Sequence, residues 1–153
     1  MKIEIEALGD NINYIEEVSK WIYEEWEKVK GAKIEDIIYR TRHSLVKDNI
    51  PNMFIAIYNN RVIGVVSLWM NDLKSRQDLF PYMATLFVKE EFRNKGVGRK
   101  LQEKCIEEAR RLGYLYLYLI TDHRNYYEKT GWIFLEEAPL DDGNYTSIYQ
   151  YKL

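Results

Sequence analysis

The stretch Leu86–Leu101, LFVKEEFRNKGVGRKL, decides the fold that we expect for this chain. Its first residues are apolar and predict a strand, and its last residues begin an amphipathic helix. Between them Arg93, Gly96 and Gly98 follow the spacing Arg-x-x-Gly-x-Gly. The first backbone amides of a helix have no partner within the helix and point outwards at its positive end. Glycines at that point let an anion approach the backbone closely, so the turn is predicted to bind a phosphate or a pyrophosphate.

Two other phosphate-binding turns fit this stretch less well. A P-loop needs a Lys-Ser or Lys-Thr pair after its second glycine, and this chain has Arg99-Lys100 there. A dinucleotide-binding turn needs a third glycine and an early βαβ unit, whereas this turn lies past the middle of the chain. A glycine turn alone is weak evidence, because many glycines near the start of a helix serve only the turn.

Composition indicates one soluble globular domain that spans residues 1–153. Of these residues 46% are hydrophobic and 30% are charged, which is an ordinary globular balance. The net charge of −2 provides no basic field for nucleic acid, and no apolar run is long enough for a membrane span. The start of the chain lacks a signal-peptide core, and Cys105 is the only cysteine. We therefore expect a cytoplasmic protein without disulfides, membrane contact or a bound metal.

Hydrophobic periodicity and turn residues predict alternating strands and helices along the whole chain. Repeats, linkers and low-complexity segments are absent from the sequence. The predicted elements are a strand Lys2–Leu8, a helix capped by Asp10 or Asn11 and ended by Gly31, a helix Ile34–Lys47, a hairpin of Met53–Tyr58 and Arg61–Trp69 around Asn59-Asn60, a buried strand Met83–Val88, a helix Val97–Leu112, a strand Leu115–Ile120, a short tyrosine-rich helix, and strands Trp132–Ala138 and Tyr145–Leu153.

A second segment accompanies the glycine turn. The strand Leu115–Ile120 is followed by Asn125–Trp132, NYYEKTGW. In order and spacing, this segment and the Arg-x-x-Gly-x-Gly helix start resemble the two motifs of the GNAT N-acetyltransferase superfamily. The resemblance is detailed from about Ile55 to Leu135. It implies an α+β fold with a central mixed, mostly antiparallel sheet flanked by helices on both faces, and acetyl-CoA as the cosubstrate.

The resemblance also implies which residues hold acetyl-CoA. In the family, the central strand and the strand after the long helix part and leave a V-shaped gap, in which the pantetheine arm pairs with the central strand. On this chain the pairing groups are Leu86, Phe87 and Val88, and an amide near Phe87 polarises the thioester carbonyl. The pyrophosphate-binding turn then comprises Arg93, Asn94, Lys95, Gly96, Val97, Gly98 and Arg99.

Tyr127 is the general acid that the resemblance implies, because it occupies the tyrosine position before Glu-Lys-x-Gly. A phenol with a pKa near 10 is protonated at neutral pH and can donate a proton to the leaving thiolate. The alternative is that Tyr127 only packs, and we assign Tyr126 to packing or to a cofactor contact. The chain departs from the family at Ile120, where many members carry a cofactor-contacting asparagine. Whether Asn125 replaces that contact stays open.

The sequence does not identify the acceptor or the general base. The family transfers the acetyl group directly, in a ternary complex, to a primary amine of a small molecule or peptide. Because Phe80–Val88 contains no acidic residue, the base is left to a water chain or to a side chain outside that strand. The alternative function is a non-catalytic CoA-binding sensor or interaction domain. The sequence is compatible with both a monomer and a homodimer. Candidates for the base are Asp72, Asp78, Glu24, Glu25 and His123, and candidates for an acceptor pocket are Trp21, Glu24, Glu25, Trp26, Trp69, Asp72 and Tyr82.

Overall fold

Seven strands form one mixed sheet in the computed structural model, which describes residues 1–153. The order across the sheet is β1-β2-β3-β4-β5-β7-β6. Every neighbouring pair is antiparallel except β4 and β5, which are parallel. The strands are β1 (Glu4–Ala7), β2 (Asn52–Tyr58), β3 (Arg61–Trp69), β4 (Tyr82–Val88), β5 (Tyr116–Thr121), β6 (Ile133–Pro139) and β7 (Tyr145–Lys152).

Helices cover both faces of this sheet, which confirms the predicted α+β architecture. Helices α1 (Ile15–Ile22) and α2 (Ile34–Arg42) pack on one face, and α3 (Val97–Arg111) packs on the other. Each helix buries a stripe of apolar residues at helical spacing. The α1 stripe is Ile15, Val18 and Ile22, which pack with Ile55 and Val65, and the α3 stripe is Val97, Leu101, Cys105 and Ala109, which pack with Phe54 and Leu117.

The hairpin between β2 and β3 turns at the predicted pair of asparagines. Asn59 and Asn60 have φ angles of 49° and 58°, in the left-handed region that asparagine tolerates. Two consecutive left-handed residues form the turn whose twist matches that of paired antiparallel strands. The prediction of this hairpin is therefore confirmed.

The first two predicted helices are shorter in the structure than in the sequence analysis. Short 3-10 turns precede α1, and the five residues Tyr23–Glu27 after it form a π-helical turn. Asn11 does not cap a helix, because its side-chain amide donates to Glu6 Oε2 at 2.7 Å. Helix α2 ends at Arg42 rather than Lys47. There the Ser44 hydroxyl donates to the Arg40 carbonyl at 2.7 Å, taking an acceptor that a continuing helix would use.

Candidate active site

Strands β4 and β5 meet at one point and then part. Their register contains a single pair, Tyr82 with Tyr118, and the Tyr118 amide donates to the Pro81 carbonyl at 3.0 Å. Beyond that pair, Met83–Val88 has no register partner on β5. The sequence predicted a strand buried on both faces, but only the first three residues of β4 are buried and the last four are half-buried. The gap therefore exposes one edge of β4 to a ligand that can complete its hydrogen bonds.

A β-bulge changes the direction of β4 inside this gap. Val65 pairs with Phe87 and Ser67 with Ala84, so two residues of β4 lie opposite one residue of β3. Thr85, in the bulge, has a φ of 50°, and its hydroxyl lies 2.6 Å from that of Ser67. Bulges reverse which face each later side chain occupies. As a result Phe87 faces α1, where its ring lies 5.2 Å from that of Trp21.

The glycine turn lies at the open end of the gap. Gly96 is the N-cap of α3 with a φ of 82°, and no side chain caps the helix. Asn94 is also left-handed, with a φ of 59°. The amides of the first turn are consequently left for a ligand, at the positive end of a fifteen-residue helix. Free backbone amides at the start of a helix can bind an anion.

The basic side chains around this turn already have partners within the protein. Arg93 Nε donates to the Val88 carbonyl at 2.9 Å, and its guanidinium lies 5.7 Å from the centre of the Phe87 ring. Lys95 Nζ donates to the Glu91 carbonyl at 3.1 Å, and Arg99 forms an ion pair with Glu103 at 3.1 Å. Arg93 therefore braces the end of β4 against the turn. All three side chains are exposed and remain available to screen a bound anion.

Two adjacent tyrosines follow β5 and occupy different environments. Tyr126 is 47% exposed, and a Cβ atom added to Gly98 would lie 3.4 Å from its hydroxyl. Its phenol thus stands over the first turn of α3. Tyr127 is only 8% exposed, with its ring edge-on to Tyr126 at 4.8 Å and near Trp132 and Tyr149. Burial raises the pKa of the Tyr127 hydroxyl well above its ordinary value, and Tyr126 raises it further.

Three of the residues suggested for the acceptor pocket lie at the closed end of the gap. Trp69 and Tyr82 are cross-strand partners in the register of β3 and β4, and Asp72 follows in the loop after β3. The carboxylate of Asp72 is half-buried. Burial raises its pKa to about 6, although Lys30 and Arg40 lower it. This is the environment of a functional carboxylate.

The other candidates for the base or the pocket are less suited to either role. Glu24 is exposed and forms an ion pair with Lys28 at 3.5 Å, and Glu25 is also exposed. Asp78 pairs with Arg76 at 2.8 Å. His123 is exposed, with its ring 6.2 Å from that of Tyr126.

Two residues that shape the site were not identified from the sequence. A Cβ atom on Gly64 would lie 3.0 Å from the Phe87 carbonyl and 3.1 Å from Leu101 Cδ1, so only glycine lets α3 approach β3 and β4 here. Gln102, inside α3, is 3% exposed and accepts hydrogen bonds from the residues after Tyr127. A glycine in a strand and a glutamine on the apolar stripe of a helix were the available signals. Asn125 is exposed at the start of the tyrosine turn, where its backbone N–H donates to Glu128 Oε2 at 3.2 Å.

A seven-stranded sheet that opens between its parallel strands, next to a glycine-capped helix, defines the class of acyl-CoA acetyltransferases. The chain belongs to the acetyltransferase (GNAT) family, whose model matches residues 15–132. An uncharacterized N-acetyltransferase of Chlorobaculum tepidum is 27% identical over 108 residues, which are 71% of this chain. That match covers 66% of the relative, slightly less than two thirds of its length.

Solved structures of the family share the fold over nearly the whole chain. A GNAT acetyltransferase of Staphylococcus aureus Mu50 superposes with a TM-score of 0.72 at 21% identity, over 99% of both chains. An aminoglycoside 6'-N-acetyltransferase in complex with coenzyme A gives a TM-score of 0.76 at 12% identity, over 99% of this chain and 97% of that one. The predicted superfamily and fold are confirmed.

Two kinds of feature are absent from the structure. None of its helices combines the length and apolar character that crossing a bilayer requires. No three His, Cys, Asp or Glu side chains are grouped as metal ligands.

Proposed function

We propose that the protein is an N-acetyltransferase that moves the acetyl group of acetyl-CoA directly to a primary amine, within a ternary complex. The parting of β4 and β5 beyond Tyr82 and Tyr118 is the observation that carries this proposal. A gap inside a sheet leaves backbone groups unpaired, and an extended ligand with amides of its own can pair with them. The pantetheine arm of CoA is such a ligand.

The two ends of acetyl-CoA fit two different parts of this gap. The pyrophosphate binds the amides of Asn94–Arg99 at the uncapped start of α3, beside the exposed phenol of Tyr126. The arm pairs with the segment Leu86, Phe87 and Val88, whose backbone groups point alternately towards β3 and into the gap. An amide near Phe87, just after the bulge, donates to the thioester carbonyl and stabilises the negative charge that develops on its oxygen.

Tyr127 supplies the proton that the leaving thiolate needs. When the neutral amine nitrogen bonds to the carbonyl carbon, the carbon–sulfur bond breaks and its electron pair remains on sulfur. The proton that the nitrogen loses passes to water. A phenol whose pKa is raised by burial stays protonated at every physiological pH. It can therefore donate to the thiolate throughout the working range and recover its proton from solvent.

Two measurements on the purified protein test this function. Isothermal titration calorimetry with acetyl-CoA, and with NAD as the control ligand, should show binding of acetyl-CoA alone. A thiol-release assay with acetyl-CoA and a panel of amines should then show turnover above the background hydrolysis of the thioester. Binding without turnover on any amine would favour the CoA-sensing alternative, and failure to bind acetyl-CoA would contradict both functions.

A further inference from the structure

Trp69 and Tyr82, opposite each other at the closed end of the gap, each carry a buried polar atom without a partner. The indole Nε1 and the Tyr82 hydroxyl make no hydrogen bond within the protein, and Tyr82 is 0% exposed. A buried donor left unpaired destabilises the fold. Such atoms in a folded protein call for a specific explanation, of which a bound ligand is one. Both side chains lie on the same face of the sheet, because directly opposite residues of an antiparallel pair share a face.

Burial raises the pKa of the Tyr82 hydroxyl, and Asp72 lies close enough to raise it further, in a loop that its neighbours anchor. The Leu73 amide donates to Asn71 Oδ1 at 3.1 Å, and the Leu73 side chain is buried in the same apolar cluster as Tyr82. Further along, the loop is fastened to the β6–β7 hairpin, because Ser75 Oγ donates to the Pro139 carbonyl at 2.8 Å. The carboxylate of Asp72 is therefore fixed in place without being hydrogen-bonded itself.

The charges around Asp72 leave it free to bind a cation. Arg40, whose guanidinium lies 5.2 Å from the centre of the Trp69 ring, pairs with Glu27 at 3.6 Å. Lys30 pairs with the same glutamate at 3.5 Å. Glu27 is thus shared by two cations, whereas Asp72 is in no ion pair. With a pKa of about 6, Asp72 is largely ionised at pH 7 and half-desolvated, so an added ammonium group would stabilise it.

We propose that Asp72, Trp69 and Tyr82 form the acceptor site, in which Asp72 binds the acceptor's amine as ammonium before it loses a proton to water, and the two unpaired donors bind an oxygen a few bonds away. The inference rests on the proposed acetyltransferase function and adds the acceptor's chemical class. That class is an amine with a nearby hydroxyl, carbonyl or carboxylate oxygen, such as an amino alcohol, an amino sugar or an amino acid. Plain alkylamines and polyamines lack this oxygen and should be poorer acceptors.

The first arm of the test replaces the carboxylate. Asp72→Asn should lower kcat/KM for the best acceptor by roughly 10- to 100-fold, the usual loss when a hydrogen bond to a charged group is removed. Its Kd for acetyl-CoA, measured by calorimetry, should stay unchanged, which shows that the variant is folded. Asp36→Asn, which removes an exposed carboxylate from α2, is the matched control and should keep the wild-type rate.

The second arm compares acceptors with and without an oxygen near the amine. The panel contains n-butylamine, 3-amino-1-propanol, β-alanine, glucosamine, a dipeptide and spermidine. The fastest acceptor should carry an oxygen, and 3-amino-1-propanol should exceed n-butylamine by about tenfold, as expected for one hydrogen bond. Trp69→Phe keeps an aromatic ring beneath Arg40 and removes the indole N–H. It should therefore reduce the preference for 3-amino-1-propanol over n-butylamine. The hydroxyl, carboxylate and peptide members show which oxygen the site takes.

The pH profile gives a readout that a purely structural role for Asp72 would not change. The charged and titratable groups that face Asp72 are Lys30, Arg40, Glu27 and Tyr82. For the wild type, kcat/KM of the acceptor should fall as the pH drops through about 6, and Asp72→Asn should lack this fall. Turnover that survives Asp72→Asn, or a best acceptor without oxygen, would overturn this inference alone. Lack of turnover with every amine would refute the proposed function, and this inference with it.

Discussion

Gln102 Oε1 accepts a hydrogen bond from Trp132 Nε1 at 3.1 Å, and both side chains are buried. The same oxygen lies 3.0 Å from the Thr130 hydroxyl, which is also 3.1 Å from the Tyr127 carbonyl. The hydroxyl has one proton and shares it between these two acceptors. One side chain of α3 thereby fixes the 3-10 turn Tyr127–Thr130 against the helix whose first turn we propose as the pyrophosphate site.

The Gln102–Trp132 pair should contribute measurably to stability. Gln102→Met keeps the volume but removes the acceptor, leaving a buried indole N–H unpaired, so it should lower the free energy of unfolding by about 1–3 kcal/mol. Trp132→Phe removes the donor. In the double variant the losses should not add, and the coupling energy should be about 0.5–1.5 kcal/mol. Urea unfolding of the wild type, the two single variants and the double variant measures this coupling energy. If the losses of the two single variants add exactly, the hydrogen bond contributes nothing to stability.

The two adjacent tyrosines should differ sharply when each loses its hydroxyl. Tyr127→Phe should lower kcat by about 10²–10⁴-fold, near the low end because CoA is a good leaving group, while the affinity for acetyl-CoA is retained. Tyr126→Phe, the matched control, should change kcat little. Steady-state thiol release measures both variants.

Equal and small effects of these two substitutions would show that neither phenol donates the proton. A large effect of Tyr126→Phe alone would assign the acid to the exposed tyrosine above Gly98. A raised pKa of Tyr127 also predicts that kcat shows no alkaline loss from this group up to pH 10, because the phenol stays protonated there.

Features that depend on local sequence were predictable in this chain. The start of α3 follows from its glycines, and the β2–β3 hairpin follows from Asn59-Asn60, because each conformation is set by the residues that adopt it. Helix α3 ends within one residue of its predicted end, since its apolar stripe is regular. The order of the elements followed from the same local signals.

Features that depend on distant contacts were not predictable. The bulge at Thr85 exists because β3 and β4 pair with an offset, and the π-helical turn after α1 carries no signal of its own. Gln102 and Trp132 are 30 residues apart and meet only in the folded protein. The half-burial of Asp72 arises because its loop is fastened to the β6–β7 hairpin, and a polar loop sequence gives no sign of that.

An aspartate at Gly96, the N-cap of α3, should weaken the binding of acetyl-CoA without lowering stability more than alanine does. Gly96 has a φ of 82°, so Gly96→Ala should cost about 1–2 kcal/mol of stability through backbone strain. Aspartate tolerates this conformation better and interacts favourably with the positive end of a helix, so Gly96→Asp should be no less stable than Gly96→Ala. Its carboxylate nevertheless repels a pyrophosphate. The Kd for acetyl-CoA should therefore rise about 10- to 100-fold relative to Gly96→Ala, for roughly 1–3 kcal/mol of repulsion.

Calorimetry with the two Gly96 variants measures this difference, and thermal unfolding provides the stability control. The difference in Kd should shrink at high salt, because the turn is exposed and its charges are screened. Equal Kd values for the two variants at low salt would show that the pyrophosphate does not lie at this helix start.

Asp72 should make the stability of the protein depend on pH in the direction opposite to that of most carboxylates. Its pKa is raised from 3.8 to about 6 on folding, so the folded state binds the proton more tightly than the unfolded state does. Stability contributed by the protonated form is then present below pH 4 and lost as the pH rises through about 6. At pH 7.5 the ionised, half-buried carboxylate should therefore destabilise the fold by about 1–3 kcal/mol.

Asp72→Asn should be more stable than the wild type by that amount at pH 7.5 and equal to it at pH 4. Urea unfolding at both pH values, with Asp36→Asn as the control for removing an exposed carboxylate, measures the difference. A loss of stability in Asp72→Asn at pH 7.5 would mean that Lys30 and Arg40 stabilise the ionised form more than burial destabilises it.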